Sequence, residues 1–168
     1  HFDGTKLIID ANIVSAGEHI DNTIKCDGCT NLRTVDLSDC SLLETIGNNF
    51  LDSCWGLTDV NTINDMESLE TIGAECFKFC YSIKSFKLTN LLHLKPISSQ
   101  FLAGETEKSQ RLWSLVDVEF SNLPNLREIG YGCCQHSYVQ TVTLKNLPFL
   151  DSSGGIKGRF FGRCHNLK

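Results

Sequence analysis

Cysteine is the first residue type to consider for metal binding or redox chemistry in this chain, since nine of the 168 residues are cysteines. Cys26 and Cys29 form a C-x-x-C pair, which is the spacing of zinc sites and thiol redox centres. Cys133, Cys134 and His136 form a second cluster that could supply metal ligands. A zinc site of this type requires two such pairs, however, and an odd number of cysteines does not suit a closed disulfide framework. Packing is therefore favoured over both interpretations, which stay open.

Motifs for other kinds of chemistry are missing from the sequence. There is no Ser-His-Asp order, no glycine loop that would cradle a phosphate and no pair of catalytic carboxylates. The glycine pair 154–155 follows the serine pair 152–153 in a stretch that is better interpreted as a loop. The sequence therefore predicts a protein that is not an enzyme and that holds no cofactor and no metal. The alternative is an enzyme that uses Cys134 or His136, which would require a perturbed thiol in an exposed pocket.

The overall charge and hydropathy disfavour two kinds of partner. The formal net charge is -5, so the chain lacks the basic field that phosphate backbones and anionic lipid surfaces require. The most apolar run, residues 7–14, is interrupted by Asp10 and Asn12 and falls far short of the roughly 20 apolar residues that span a bilayer. We therefore expect no nucleic-acid partner and no membrane insertion by this segment.

Four of the cysteines introduce an internal repeat. Each of them lies three residues before an aliphatic residue: Cys29, Cys54, Cys80 and Cys164. The apolar spacing that follows recurs without a gap in residues 32–46, 83–97 and 115–129. The copies begin at Leu32, Leu57, Ile83, Leu115, Val139 and Leu167. Successive starts are separated by 25, 26, 32, 24 and 28 positions. Apart from the one longer interval, these separations are typical of leucine-rich repeats.

The elements that position these residues follow from burial by stacking. Period-2 alternation directs Val35 and Leu37 inward and leaves Asp36 outside, which predicts one short strand in each repeat. A unit of about 25 residues cannot bury its own apolar residues, so neighbouring repeats must cover one another. The core is then a set of continuous columns that run from repeat to repeat.

One of these inner columns is expected to hold the cysteines as small apolar side chains. Counted back from the strand starts, Leu112 and His136 share that column, and Cys134 is the cysteine that packing explains least well. Three glycines follow the isoleucines that end the repeat pattern, at positions 47, 73 and 130. We expect them where a side chain would obstruct the backbone.

The stretch I-G-N-N-F-L-D-S-C-W-G-L at residues 46–57 superposes without gaps on residues 72–83 and 156–167. It resembles the unit I-G-x-x-A-F-x-x-C-x-x-L-x-x-V-x-L of the BspA-like, or Treponema-type, leucine-rich repeats, and the likeness covers about residues 20–168. Phe50, Cys76 and Phe160 replace the alanine of that unit. The resemblance implies a strand-rich α/β solenoid, wound as a right-handed coil with one short parallel strand per repeat of about 25 residues.

The resemblance and the repeat pattern together predict one domain over residues 1–168, with about six repeats. Residues 1–20 are interpreted as an irregular N-terminal part or cap. Residues 104–111 are interpreted as an inserted loop, which accounts for the longer interval and is more often a solvated loop than a partner site. The last repeat is incomplete at Lys168, so we expect more chain to follow it.

The outward strand positions are the first candidate surface for a protein partner. They are small, polar and mixed in charge, and they include Asp36, Asn61, Lys87, Glu119 and Thr143. This face lacks the aromatic and arginine anchors that dominate interface energetics, so a binding surface and a plain solvated sheet are equally supported.

The positions two residues before each strand start form a second candidate surface. The residues counted there are Thr30, Trp55, Tyr81, Trp113, Ser137 and His165. An aromatic ladder buried between repeats is the favoured interpretation, because large aromatics are more often recruited for burial than for recognition. A stripe that binds a partner is the alternative.

For function, the resemblance implies a protein-interaction module on a cell surface or secreted, often tied to adhesion, with no catalytic residues. The alternative is an intracellular scaffold or a structural subunit of a larger assembly. Unpaired cysteines favour that alternative, as does the absence of an N-x-Ser/Thr glycosylation site despite twelve asparagines. The sequence predicts a protein partner but does not identify it.

Overall fold

The computed structural model describes residues 6–8, 19–20, 29–37, 40–60, 63–104, 114–150, 154–164 and 167. Several residues singled out from the sequence lie outside these ranges: Cys26, Asn61, Leu112, Trp113 and His165. Most of the predicted N-terminal cap also lies outside them. Of the predicted inserted loop, the described residues include Gly104 alone.

The described residues form short strands and turns. In chain order the strands are β1 (Lys6–Ile8), β2 (His19–Ile20), β3 (Thr34–Asp36), β4 (Thr45–Ile46), β5 (Thr71–Ile72), β6 (Ser85–Thr89), β7 (Pro96–Ile97), β8 (Asp117–Ser121), β9 (Glu128–Ile129) and β10 (Thr141–Lys145). No α-helix occurs within the described ranges. The prediction of parallel strands is confirmed, because every pairing between these strands is parallel.

The strands form two series, so the prediction of one strand per repeat is wrong. In the first series β1 pairs with β3, β6 pairs with β8, and β8 pairs with β10. A single bridge between Thr34 and Asp59 extends the β1–β3 pair by one repeat. The second series is one five-stranded sheet in the order β2-β4-β5-β7-β9. Its two-residue strands are too short to show an alternation in the sequence, which is why the pattern did not reveal them.

The strand register confirms the alignment of the repeats. Ile46 pairs with Ile72, Ile72 with Ile97, and Ile97 with Ile129. An isolated bridge joins Ile129 to Ile156 and continues the same row. The long interval between Ile97 and Ile129 is therefore absorbed without a change of register, as expected if the extra residues leave the stack as a loop.

The core consists of apolar rows that cross the repeats. Five of the six residues that begin the repeats are fully buried, namely Leu32, Leu57, Ile83, Leu115 and Val139, whereas Leu167 is 42% exposed. Phenylalanines fill the centre: the ring centroids of Phe77 and Phe86 are 5.6 Å apart, and those of Phe86 and Phe101 are 5.3 Å apart. Such edge-to-face and tilted contacts add to the free energy gained by removing the rings from water.

A turn segment follows the second strand of each repeat. In the first fully described copy, the segment contains Asn49, Leu51 and Ser53, and all three have left-handed backbone angles with φ of 59°, 58° and 58°. The equivalent left-handed residues in later repeats are Glu75, Phe77 and Phe79; Gln100 and Leu102; Gly132, Cys134 and His136; Arg159, Phe161 and Arg163. Large L-residues rarely adopt this conformation, which costs about 1 kcal/mol for each of them.

Hydrogen bonds between repeats hold these turn segments in place. The Asn49 amide donates to the Ala74 carbonyl at 2.8 Å, and the Ser53 amide donates to the Lys78 carbonyl at 2.8 Å. In the opposite direction the Phe77 amide donates to the Phe50 carbonyl at 3.0 Å. Asn49, Ser53 and Phe77 therefore direct their amides at neighbouring repeats, and these bonds offset the conformational cost.

Two of the predicted glycines stand where neighbouring backbones approach closely. A Cβ atom on Gly73 would lie 2.6 Å from the Asn48 nitrogen, and one on Gly130 would lie 2.5 Å from the Ser98 carbonyl carbon. Neither glycine has a positive φ. The requirement for glycine here is therefore space between repeats rather than an unusual backbone angle.

A side-chain ladder crosses the other turns, those that follow the longer strands. Asn90 donates to the Asp65 carboxylate at 2.6 Å, Asn122 donates to the Asn90 carbonyl oxygen at 2.9 Å, and Asn146 donates to Asn122 at 2.6 Å. All four residues have positive φ, a conformation that Asn and Asp tolerate better than other residues. We refer to these four residues as the amide ladder.

Candidate functional site

The outer face of β6, β8 and β10 is the best-defined part of the predicted binding surface. The three strands align residue by residue, so that Lys87 pairs with Glu119 and Glu119 with Thr143. Lys87 and Thr143 are exposed and Glu119 is partly exposed. The predicted row is therefore present in three adjacent strands. Asp36 holds the same position in β3 and is partly exposed.

Electrostatic contacts order the centre of this face. The Lys87 ammonium lies 3.4 Å from the Glu119 carboxylate. The Ser121 hydroxyl, from the same strand as Glu119, donates to that carboxylate at 2.8 Å. The bond from Ser121, followed by the nearby Lys87 and Lys145, lowers the pKa of Glu119. Glu119 is therefore ionised at neutral pH, and the face presents fixed charges of both signs.

The aromatic positions do not form a uniform column. Trp55 is 38% exposed, whereas Tyr81 at the equivalent position is 9% exposed. The Tyr81 ring stacks on Phe79, with centroids 6.2 Å apart and the planes 26° from parallel. The structure thus places one aromatic of this column at the surface and one in the core.

In the repeat whose turn segment begins at Gly130, the position equivalent to Trp55 and Tyr81 is held by Tyr138 and not, as predicted, by Ser137. The amides of Ser53, Phe79 and His136 all donate to a carbonyl of the next repeat. His136 is therefore equivalent to Ser53 and Phe79. Of the two residues that follow it, Ser137 takes the cysteine position and Tyr138 takes the aromatic position. Counting back from Val139 misplaced them, because this copy is one residue short after Tyr138. Tyr138 is 40% exposed, and aligning forward from Ile129 would have found it.

The same correction applies to the cysteine column, where Ser137 takes the place assigned to His136. Cys54 and Cys80 are fully buried there, and Ser137 is 3% exposed. The Cys80 thiol donates to the Leu51 carbonyl at 3.1 Å, and the Cys164 thiol donates to the Cys134 carbonyl at 3.2 Å. The Ser137 hydroxyl donates to the same Cys134 carbonyl at 2.7 Å. The column thus holds small side chains, and three of them, Cys80, Cys164 and Ser137, satisfy a turn carbonyl.

Cys134 does have a packing role, contrary to the expectation from the sequence. It is fully buried and occupies the left-handed position that Leu51 and Phe77 hold in earlier repeats. Its sulfur lies 3.7 Å from that of Cys133. Burial, and then the neighbouring Cys133, raises the pKa of the Cys134 thiol well above its usual range.

Two other buried thiols are shifted in the same direction. Burial raises the pKa of Cys76 to about 12, and it raises the pKa of Cys80 as well. Nucleophilic cysteines require the opposite shift together with access to solvent. The eight cysteines in the described ranges are free thiols, and within those ranges no group of three His, Cys, Asp or Glu side chains is placed to hold a metal ion.

Among the residues whose structure is described, no helix is long and apolar enough to cross a bilayer.

Comparison with known proteins agrees with the repeat architecture. The family model of the BspA type leucine rich repeat region, in six copies, matches residues 5–109. Comparison with curated proteins and with solved structures found no match. The matched segment is more than half of the chain and contains the strands up to β7, whereas β8, β9 and β10 lie outside it. The chain therefore belongs to the family of BspA type leucine-rich repeat proteins.

Proposed function

We propose that the chain is a non-enzymatic protein-binding module, wound as a right-handed solenoid, which recognises its partner with the outer face of β6, β8 and β10. The observation that carries this proposal is the regular row Lys87, Glu119 and Thr143 on three adjacent strands. A continuous sheet holds these side chains at fixed spacing, so that little backbone entropy is lost on binding. The membership in a family of interaction repeats supports the same function.

Trp55 supplies the aromatic anchor that the polar row lacks. It lies two residues before the repeat start Leu57, and more than a third of its surface is exposed. Tryptophan is among the residues that contribute most to interfaces when a partner covers them. The proposed recognition surface therefore comprises Trp55, Asp36, Lys87, Glu119 and Thr143, with Asn61, Trp113 and His165 as further sequence-based candidates.

The proposed role is adhesion at a cell surface or in the secreted fraction. An intracellular scaffold is the second candidate, and the free state of the eight described cysteines favours it, because thiols persist in reducing compartments. Buried thiols such as Cys54 and Cys80 are shielded from oxidants, however, so they are also compatible with an extracellular location.

Site-specific photo-crosslinking tests the proposed face. A benzophenone side chain replaces Thr143 in one protein and Lys95, an exposed residue beside the second series of strands, in the matched control. Each protein is irradiated with intact cells and, separately, with a cell lysate. We expect a discrete adduct from position 143 that excess unmodified protein removes and that a Lys87→Glu change abolishes.

The two arms separate the proposed locations. An adduct on intact cells supports the adhesion role, and an adduct in the lysate alone supports the scaffold. Adducts of equal yield and pattern from positions 143 and 95 would contradict the proposed recognition face, and so would an adduct that persists in the Lys87→Glu protein.

A further inference from the structure

A notch of about 300 Å³ opens among the turn segments, away from the residues assigned to the recognition face. The small residues Ala103 and Gly104 line it together with Lys78, Phe79, Tyr131 and Arg159, and the rest of its lining is polar. We refer to this cavity as the turn notch. Its volume lies at the lower end of the range for ligand pockets, which suits a single side chain better than a cofactor.

The turn notch exists because one repeat carries small residues where its neighbours carry large ones. Ala103 and Gly104 are equivalent to Lys78 and Phe79 in the preceding repeat. The backbones remain joined across this place, because the Phe79 amide donates to the Ala103 carbonyl at 3.0 Å and the Gly104 amide donates to the Gln135 carbonyl at 2.7 Å. The turn notch therefore results from the small side chains in this repeat, and the backbone hydrogen bonds between repeats continue across it.

Two of the cations that line the turn notch stand over aromatic rings. The Lys78 ammonium lies 4.9 Å from the centroid of the Phe79 ring, and the Arg159 guanidinium lies 5.5 Å from the centroid of the Tyr131 ring. Cation–π contacts of this length hold a cation in position over the ring. The charges are thereby placed before a ligand arrives, which reduces the entropy cost of binding.

The remaining polar groups of the turn notch can all donate hydrogen bonds. Gln100 and Gln135 carry amide groups, Tyr131 carries a hydroxyl group, and His136 carries an imidazole whose Nε2 atom lies 2.8 Å from the Gln135 amide nitrogen. None of the lining residues that the structure describes is acidic, and the described carboxylate contact of this lining is that of Glu75, 3.2 Å from the Lys78 ammonium. Arg159 and the donors around it therefore form a local positive site on a chain whose net charge is -5.

We infer that the turn notch binds the carboxylate of an aspartate or glutamate side chain from a partner protein. Guanidinium and carboxylate groups form short, charge-assisted and often bidentate hydrogen bonds. The Gln100 amide can hold the second carboxylate oxygen, while the Gln135 amide is bonded to His136 and Lys78 is shared with Glu75. The inference rests on the proposed protein-binding function and adds a second contact area with a defined chemistry.

Titration with short peptides tests this inference without the natural partner. The probe is an acetylated and amidated triglutamate, and triglutamine is its neutral control. Each peptide is added to isotope-labelled full chain, and backbone and side-chain amide signals are followed by NMR. We expect triglutamate to shift the amide signals of Gly104, Gln135 and Gln100. The shifts should be smaller at high salt, because salt screens the attraction between charges. Triglutamine should leave these signals unchanged.

Variants assign the binding to the two cations. The combined Lys78→Gln and Arg159→Gln changes should weaken triglutamate binding about tenfold or more, since one lost charge-assisted bond accounts for roughly that factor. Lys95→Gln, at an exposed lysine outside the turn notch, should leave the affinity unchanged. The wild-type titration remains a complete test if the double variant does not fold.

Three results would overturn the inference: no localised shift with triglutamate, equal shifts with triglutamine, or binding of free acetate as tight as that of the peptide. Failure here is distinguishable from failure of the proposed function. If the peptide binds the turn notch but position 143 gives no specific adduct, the carboxylate-binding site is supported and the proposed recognition face is contradicted. The reverse outcome would contradict the inference about the turn notch alone.

Discussion

The ammonium group of Lys87 lies 3.4 Å from the carboxylate of Glu119, across the parallel pair of strands β6 and β8. Both side chains are partly or fully open to solvent, so water screens their attraction. Exposed ion pairs of this kind contribute about 0.5 kcal/mol to the free energy of unfolding. This pair is therefore suited to recognition, because it can be changed without loss of the fold.

The first prediction concerns the stability of the Lys87→Ala protein. We expect its free energy of unfolding, measured by urea denaturation, to differ from the wild type by about 0.5 kcal/mol or less. A loss of partner crosslinking in this variant would then report on the interface and not on folding. A destabilisation of more than about 2 kcal/mol would show that the pair has a structural role.

The second prediction compares two leucines that pair with the same residue. Leu88 and Leu144 both align with Phe120, from opposite sides, but Leu88 is fully buried and Leu144 is 43% exposed. We expect Leu88→Ala to lower the free energy of unfolding by about 3 kcal/mol, because it leaves a cavity. Leu144→Ala should cost about 1 kcal/mol or less. Equal losses in denaturant titrations would contradict the observed difference in burial.

The third prediction concerns the amide ladder. Asn122 makes two ladder bonds and Asn146 makes one, and both residues have positive φ. Alanine at either position pays the same conformational cost of about 1 kcal/mol. We expect Asn122→Ala to destabilise the protein by about 2 kcal/mol and Asn146→Ala by about 1.5 kcal/mol, since each lost bond adds about 0.5 kcal/mol. Thermal unfolding of the two variants measures the difference, and a reversed order would refute the ladder.

The fourth prediction concerns stability at alkaline pH. Burial raises the pKa of Cys76 from its ordinary value of 9.0 to about 12, and the pKa values of Cys80 and Cys134 rise as well. Above pH 9.0 the unfolded chain therefore releases protons that the native state retains. Stability is fully present below that pH and is lost as the pH rises toward 12, by up to about 1.4 kcal/mol per pH unit for each thiol.

The Cys76→Ala protein is the control for this pH dependence. Lysines and tyrosines also titrate in the alkaline range, but they are common to both proteins. We expect urea denaturation of Cys76→Ala to give a shallower loss of stability between about pH 9 and about pH 11 than the wild type shows. Parallel pH profiles for the two proteins would mean that folding does not raise the pKa of this thiol.

The apolar spacing of the sequence was sufficient to predict which residues stack on one another. Ile46, Ile72 and Ile97 fall in one row because burial in a shared column requires the same residue class at the same place in every repeat. The inward direction of Val35 and Leu37 followed from the alternation of polar and apolar residues and is confirmed by their burial. These predictions depend on patterns that recur along the chain.

Features that depend on a single repeat or on backbone angles were not predictable in this way. Leu51 and Phe77 adopt left-handed angles that their side chains disfavour, because neighbouring repeats override the local preference. Tyr138 was missed because a one-residue deletion shifts every position counted from the far side. The turn notch arises from the small size of Ala103 beside larger neighbours, and that contrast appears only after the repeats are superposed.

The left-handed turn residues have a consequence for how the array melts. An isolated repeat would bear the conformational cost of residues such as Phe77 and Phe79 without the amide-to-carbonyl bonds that compensate for it. The coupling between adjacent units must therefore exceed the intrinsic stability of each unit. In nearest-neighbour terms, strong coupling suppresses fraying at the ends, so heating should give one sharp transition and not a stepwise loss of repeats.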